Sequence, residues 1–339
     1  MGLIDTLVRR LQTSPRNVPS VAAAQTPGGR AAKTNVKMYR NWSEHSDWVR
    51  GAIKYLKTQV SSAEWDIVPV DFDKDYSKRL TQKIKGLLET PNPMNMSFRT
   101  FIEPVVEDIL TLDAGVVEKV RSVVGDLREL WPTDGGLMRV STIWDGDPDE
   151  PRYFWYPDFQ ERARFKNEDM VYMMENPATY RVVGLSKLEV LKNTIDAELS
   201  GHAYNNRQVT NAAPDGMLDL GEGARAEQGD AFKAYWQGEV AGRGAMAFVG
   251  GSKNAKFIPF RSSNRDMQFL EWQMYLVRKI CAVFGLSTMD LAISGDSNRA
   301  TADVQSENTE DRGLRPLLGL IQNYLTREIV WDKTYGGQD

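Results

Sequence analysis

Few residues in this chain are spaced to do chemistry. Its two histidines, His45 and His202, lie far apart with no cysteine or second histidine near either, so a zinc donor set is missing and each reads as a packed or interface side chain. Asp145, Asp147 and Asp149 alternate as in a calcium loop, but Glu150 stands where that loop needs glycine and Tyr156 where it needs the bidentate glutamate. Pro148 and Pro151 favour a solvated turn there. The run Gly221-Glu222-Gly223-Ala224-Arg225-Ala226 has the outline of a dinucleotide fingerprint after a candidate strand. No parallel βαβ unit with an acidic residue at the right distance is expected around it. Gly250-Gly251-Ser252-Lys253 holds the residues of a phosphate loop in the wrong order. Both read as turns, and a Ser/His/acid triad cannot be argued from two histidines and many serines. The chain is expected to have no catalytic residue, no cofactor and no metal, and not to be an enzyme.

Composition bounds the alternatives. A chain of 339 residues with 41% hydrophobic content can bury a core and hold more than one domain. Cys281, the single cysteine, falls in an apolar stripe, so there is no disulfide framework and a reducing cytosol suits it. No apolar run is long enough to cross a bilayer, no secretory signal is recognisable, and the Met1-Gly2 to Thr6 string fits myristoylation only in a way that chance often produces. The net charge of -4 argues against a protein that grips nucleic acid, because phosphate neutralisation supplies most of the affinity of a protein that holds DNA.

Around these residues the pattern is α+β. Leu3, Ile4, Leu7 and Leu11 fit a short amphipathic helix within a Pro/Ala/Gly-rich flexible arm over residues 1–36. Three helical stripes follow: Trp48 to Val60 after Ser46, Tyr76 to Leu88, and Phe101 to Leu110. Strands are expected at Val116 to Val124 and Leu127 to Trp131 around Gly125-Asp126, then at Met138 to Ile143, Arg152 to Tyr156 and Met170 to Met174, in one mostly antiparallel sheet.

The stretch from Ser186 to Glu328 is the most informative. A helix opens at Ser186, with Glu189 placed for a reciprocal capping box, and Leu188, Leu191, Ile195, Leu199 and Ala203 carry it to about Ala212, roughly 39 Å. A second long helix from Asn264 to Gly285 has two apolar stripes, one through Met267, Leu270, Met274, Val277, Cys281 and Phe284, the other through Phe269, Trp272, Leu276, Ile280 and Val283. The second stripe reads either as a buried face within the chain or as a contact with a neighbouring subunit. Between the helices, Met217 to Leu220, a helical face at Phe232, Tyr235, Trp236 and Val240, and strands at Ala245 to Val249 and Lys256 to Phe260 make a small βαββ unit.

Two helices that leave a body, carry a small domain and return resemble the path of tailed-bacteriophage portal proteins. Several phrases are similar to that family's: Tyr180 to Asn193, Arg265 to Glu271, Ile280 to Leu286 and Leu314 to Leu318, in the family's order. The resemblance runs from about Trp48 to Ile329.

It implies a homo-oligomeric ring of twelve at one capsid vertex, assembled in the host cytoplasm and kept in the virion, through which double-stranded DNA passes without sequence choice. The parts would be a wing (37–185), a stem helix (186–212), a clip (213–264), a second stem helix (265–285), a tunnel loop (286–300), a kinked helix (301–330) and a tail (331–339), with the crown minimal, absent or cut off. The loop residues that would line the channel are Ser294, Gly295, Asp296, Ser297, Asn298 and Arg299. Arg243, Lys253 and Lys256 of the clip would face the terminase large subunit and later the head-completion adaptors. Phe269, Trp272, Leu276 and Ile280 would form the subunit interface, and Gly313 with Pro316 the helix kink. Major capsid and scaffolding proteins are further implied partners, and no membrane is. The competing readings are a nucleotide-binding enzyme built on the Gly221 segment and a virion adaptor without a channel.

Overall fold

The computed structural model describes residues 33–69, 77–158, 160–210, 216–219, 226–235, 247–249, 256–259, 264–293 and 305–335. The chain forms two compact units, Met1–Lys192 with Ile280–Asp339, and Asn193–Lys279.

The first unit begins earlier than expected. Helix α1, Lys33–His45, occupies the end of the stretch read as flexible arm. Val36, Tyr39 and Trp42, one turn apart, are 7, 4 and 3% exposed, so an inward apolar face overrides the weak local signal. Helix α2, Asp47–Ser62, opens where Ser46 Oγ accepts the Val49 amide, and it buries Val49, Ala52, Ile53, Leu56 and Val60. Helix α3 is Lys78–Glu89 and helix α4 is Phe98–Leu112. α4 packs on α2 and on a sheet, and Asp113, in the left-handed conformation at its end, accepts the Glu175 amide at 2.6 Å and the Asn176 amide at 3.0 Å.

The strands are β1 Gly115–Arg121, β2 Leu127–Thr133, β3 Met138–Val140, β4 Pro151–Trp155, β5 Ala163–Lys166 and β6 Met170–Met173. They form two antiparallel sheets, β2-β1-β6 and β3-β4-β5, where one was expected, and β5 was not foreseen. All four residues of β6 are buried, which fits a place beside β1 under the helical core better than one in the half-exposed second sheet.

The helix expected from Ser186 is broken. A short α5, Lys187–Val190, is followed at Lys192–Thr210 by α6. The Ser186–Glu189 capping box does not form: Ser186 Oγ accepts the Leu188 amide and donates to the Thr111 carbonyl, while Glu189 pairs with Arg181 at 3.0 Å. A charged partner offers the carboxylate a stronger hydrogen bond than a backbone amide does. Along α6 the buried line passes through Thr194, Ile195, Glu198 and Gly201, and Ala203 is exposed.

The insert orders its elements as β7 Gly216–Asp219, α7 Ala226–Tyr235, β8 Ala247–Val249 and β9 Lys256–Pro259. β7 is central, parallel to β8 and antiparallel to β9. A parallel βαβ unit therefore does surround residues 221–226, against the sequence expectation, although β8 (Ala247, Phe248, Val249) offers no acidic residue to hold a ribose.

Helix α8, Asn264–Phe284, closes the second unit and enters the first. After it, residues 305–309 are helical, Glu310–Leu314 form a π turn, α9 runs over Arg315–Leu325, and a second π turn covers Thr326–Val330. The segment read as a tail is docked. Arg121 forks onto both Asp332 oxygens at 3.0 and 2.6 Å, Lys119 donates to the Glu328 carbonyl at 3.2 Å, and Thr334 Oγ1 accepts the Leu127 amide at 2.8 Å.

Candidate functional site at the root of a polar loop

The segment after α8 is anchored by one carboxylate. Gly285, at φ +72°, ends the helix, and Thr288–Leu291 make a 3-10 turn after Ser287. Asp290 Oδ2 accepts the Ser287 amide at 2.7 Å and the Thr309 hydroxyl at 2.6 Å, and the Tyr55 hydroxyl also bonds it. Thr309 Oγ1 accepts the Ser287 amide as well, at 3.1 Å, and is buried. Both flanks of residues 294–304 are thus tied to one point, while Leu291 rests on α2 at Gly51. Below this point Gly285 and Gly313 come into backbone contact, which fixes the end of α8 against the π turn.

Burial raises the Tyr55 hydroxyl above its usual range and the Asp290 charge adds to it. Burial pushes the Cys281 thiol up to about 11, with Asp290 again adding, which leaves an inert, packed cysteine. The hydrogen bonds of the cluster hold Tyr55, Ser287 and Thr309 on one carboxylate, an arrangement that fixes the segments on either side of residues 294–304.

Ser294, Gly295, Asp296, Ser297, Asn298 and Arg299 lie outside the described residues, as do Arg243 and Lys253; Lys256 opens β9. Phe269 and Trp272 touch each other, ring centres 5.6 Å apart, and a Cβ added to Gly201 would fall 2.7 Å from the Trp272 ring. Leu276 is 4% and Ile280 0% exposed within the single chain. Of the four residues expected at a subunit interface, Leu276 and Ile280 are buried within the single chain, and Phe269 and Trp272, beside Gly201 of α6, stay part-exposed. The open side of α8 carries Leu270, Glu271, Tyr275, Arg278 and Lys279, with the Lys279 ammonium 4.5 Å over the Tyr275 ring. Gly313 sits in the π turn, and Pro316 lies in the first turn of α9.

Among the described residues no three His, Cys, Asp or Glu gather as a metal site. Asp145 and Asp147 accept the Asp147 and Asp149 amides at 3.0 and 2.8 Å, and Asp149 pairs with Lys166, which makes a chain of turns. His45 bonds the Asn41 carbonyl on the surface of α1. No described helix is long and apolar enough to cross a membrane.

The family model for "Phage portal protein" matches residues 47–338. The chain belongs to the phage portal protein family. It is 23% identical over 282 residues to a probable portal protein of Enterococcus phage phiEF24C, covering 77% of this chain and 49% of the relative. Against a probable portal protein of Staphylococcus phage Twort it is 22% identical over 298 residues, covering 81% and 52%. The chain thus spans about half the length of these portal relatives. Its fold is similar to that of a chain in the neck of an empty GTA particle (TM-score 0.70, 21% identity, 95% of this chain and 86% of that one). It is also similar to a chain in the virion of a native gene transfer agent particle (TM-score 0.68, 21% identity, 92% and 84%).

Sequence reading missed Asp290, Thr309 and Tyr55 as a unit. Ser287 with Asp290 three residues on was the available signal, a capping pattern just beyond a helix-ending glycine. Tyr55 and Thr309 are distant in sequence and had no local signal.

Proposed function

We propose that this portal-family chain forms a closed ring at one capsid vertex, passes double-stranded DNA through the middle, and docks the packaging terminase and then head-completion proteins. The family match across residues 47–338 carries the reading. The anchor at Asp290 supports it: the segments on either side of residues 294–304 are tied to each other and, through Tyr55, to α2. The role is non-enzymatic, and the motor chemistry belongs to terminase. Electron micrographs of the purified protein test it directly. Rings of about twelve subunits with an open centre are expected, by analogy with closed cyclic assemblies, whereas a uniformly monomeric protein overturns the reading.

A second reading, nucleotide binding at residues 221–226, gains a parallel β7-α7-β8 unit and lacks the acidic residue after it. The portal reading expects no saturable binding of NAD or ATP to the purified chain.

A further inference from the structure

Two adjacent valines stand in water at the tip of the β1–β2 hairpin. Val123 is 107% and Val124 82% exposed, above every other large apolar side chain noted as exposed among the described residues. The turn is built without them. Gly125 takes φ +89°, its amide bonds the Ser122 carbonyl at 2.8 Å, the Asp126 amide bonds Ser122 Oγ at 3.1 Å, and the Arg121 guanidinium holds the Gly125 carbonyl at 3.2 Å. Hairpin tips favour Asn, Asp and Gly, which adopt positive φ or bond the turn's own backbone, and valine does neither. This one is a braced prong with two apolar side chains at its end.

The same unit carries an apolar groove of about 370 Å³ between the segment that follows α2 and helix α9. Trp65, Ile67, Phe98, Leu318 and Leu325 line it, and Glu64 and Asp66 stand on its rim. In residues 63–69 Trp65 and Ile67 are part-buried while Glu64, Asp66 and Val68 are exposed, and this segment joins no sheet among the described residues.

We propose that the Val123-Val124 tip of one subunit seats in this groove of the next. A head-to-tail ring closes only when each protomer carries two different, complementary patches. An apolar prong and an apolar groove on one unit are such a pair. Arg128, beside the prong with its side chain 59% exposed and only 3.8 Å from Asp126, brings positive charge to a rim where Asp66 already pairs with Lys85 at 2.9 Å and Glu64 is the exposed carboxylate left to meet it. The inference rests on the ring reading and adds to it which surfaces meet.

Val123→Cys and Asp66→Cys subunits, made separately, mixed and assembled, test it with a short bismaleimide crosslinker. Buried Cys281 stays out of the reaction. Covalent dimers are expected from mixed rings and a ladder of oligomers from the double variant, with neither from a single variant alone. Closed rings that give no dimers, or a double variant that crosslinks only within one chain, overturn the contact and leave the ring reading standing; a monomeric wild type sinks both. Independently, Val123→Ser with Val124→Ser is expected to weaken assembly about tenfold with no change in the unfolding midpoint, since two apolar side chains lose a buried site but the fold loses nothing. Unchanged assembly of that variant likewise overturns the contact.

Discussion

Gly285 and Gly313 meet backbone to backbone. A Cβ added to Gly285 would stand 2.8 Å from the Arg312 carbonyl oxygen, and one added to Gly313 would stand 2.8 Å from the Gly285 carbonyl oxygen. Pro316 has no amide with which to bond the Arg312 carbonyl four residues back, and a π turn occupies Glu310–Leu314. Close approach and altered helical winding therefore fall at one place, where the chain leaves α8 and where it returns.

Alanine at either glycine should destabilise the first unit. Gly313→Ala forces packed backbone apart and is expected to cost about 1–3 kcal/mol. Gly285→Ala adds the strain of a left-handed residue, about 1–2 kcal/mol more. Urea unfolding of the two variants measures this directly; midpoints equal to that of the wild type would show that the contact yields freely.

Asp290 and Thr309 should be energetically coupled. In a double-mutant cycle with Asp290→Asn and Thr309→Val, the coupling energy is expected at about 1–2 kcal/mol, because a part-buried hydrogen bond to a carboxylate exceeds the usual net worth of a neutral one. Additive losses would mean that the hydroxyl does not hold the loop root.

The sequence made the core helices legible because each carries a strong stripe: Val49 to Val60 on α2 and Phe101 to Leu110 on α4 are buried as their spacing predicts. It also placed a capped helix start at Ser186 but misjudged the partners, since Thr111 and Arg181 reach that point only through the tertiary fold. The two stripes of α8 posed a choice that periodicity cannot make. Within the single chain Leu276 and Ile280 are buried, while Phe269 and Trp272 are part-exposed beside Gly201, where the Trp272 ring needs room. The loop root stayed hidden because Tyr55, Asp290 and Thr309 converge from three separate segments.

Two carboxyls should give opposite pH signatures. Burial pushes Asp108 up to about 7 against the pull of the Gly135 amide, so the folded chain keeps a proton that the unfolded chain gives up from about 3.8. Its contribution is therefore complete below about 4 and is lost as pH rises through about 7. Burial opposes ionisation of Asp332 as well, but the Arg121 fork and the Thr334 donors override it and hold that carboxyl at about 2, so its contribution is lost as pH falls from about 4 to 2. Asp108→Asn should flatten the stability curve between pH 4 and 7, removing a slope worth on the order of a few kcal/mol. Asp332→Asn should flatten only the acid side. Unfolding free energies measured across pH 2–8 decide it, and variant curves parallel to the wild type would refute the assignment.

Arg299 is the single cation between Ser287 and Thr301, and Asp290 and Thr309 bond to each other on either side of residues 294–304. In a ring each subunit would bring one positive charge toward passing phosphates, a collar able to slow or retain DNA and unable to read its bases. Arg299→Glu should leave folding and assembly intact, because the anchoring bonds are made by other residues, and should lower packaging efficiency or DNA retention in assembled heads. Photo-crosslinking from position 299 should label packaged DNA while crosslinking from Asp145, on an exposed turn of the first unit, should not. Equal labelling from both positions would place DNA outside the proposed channel.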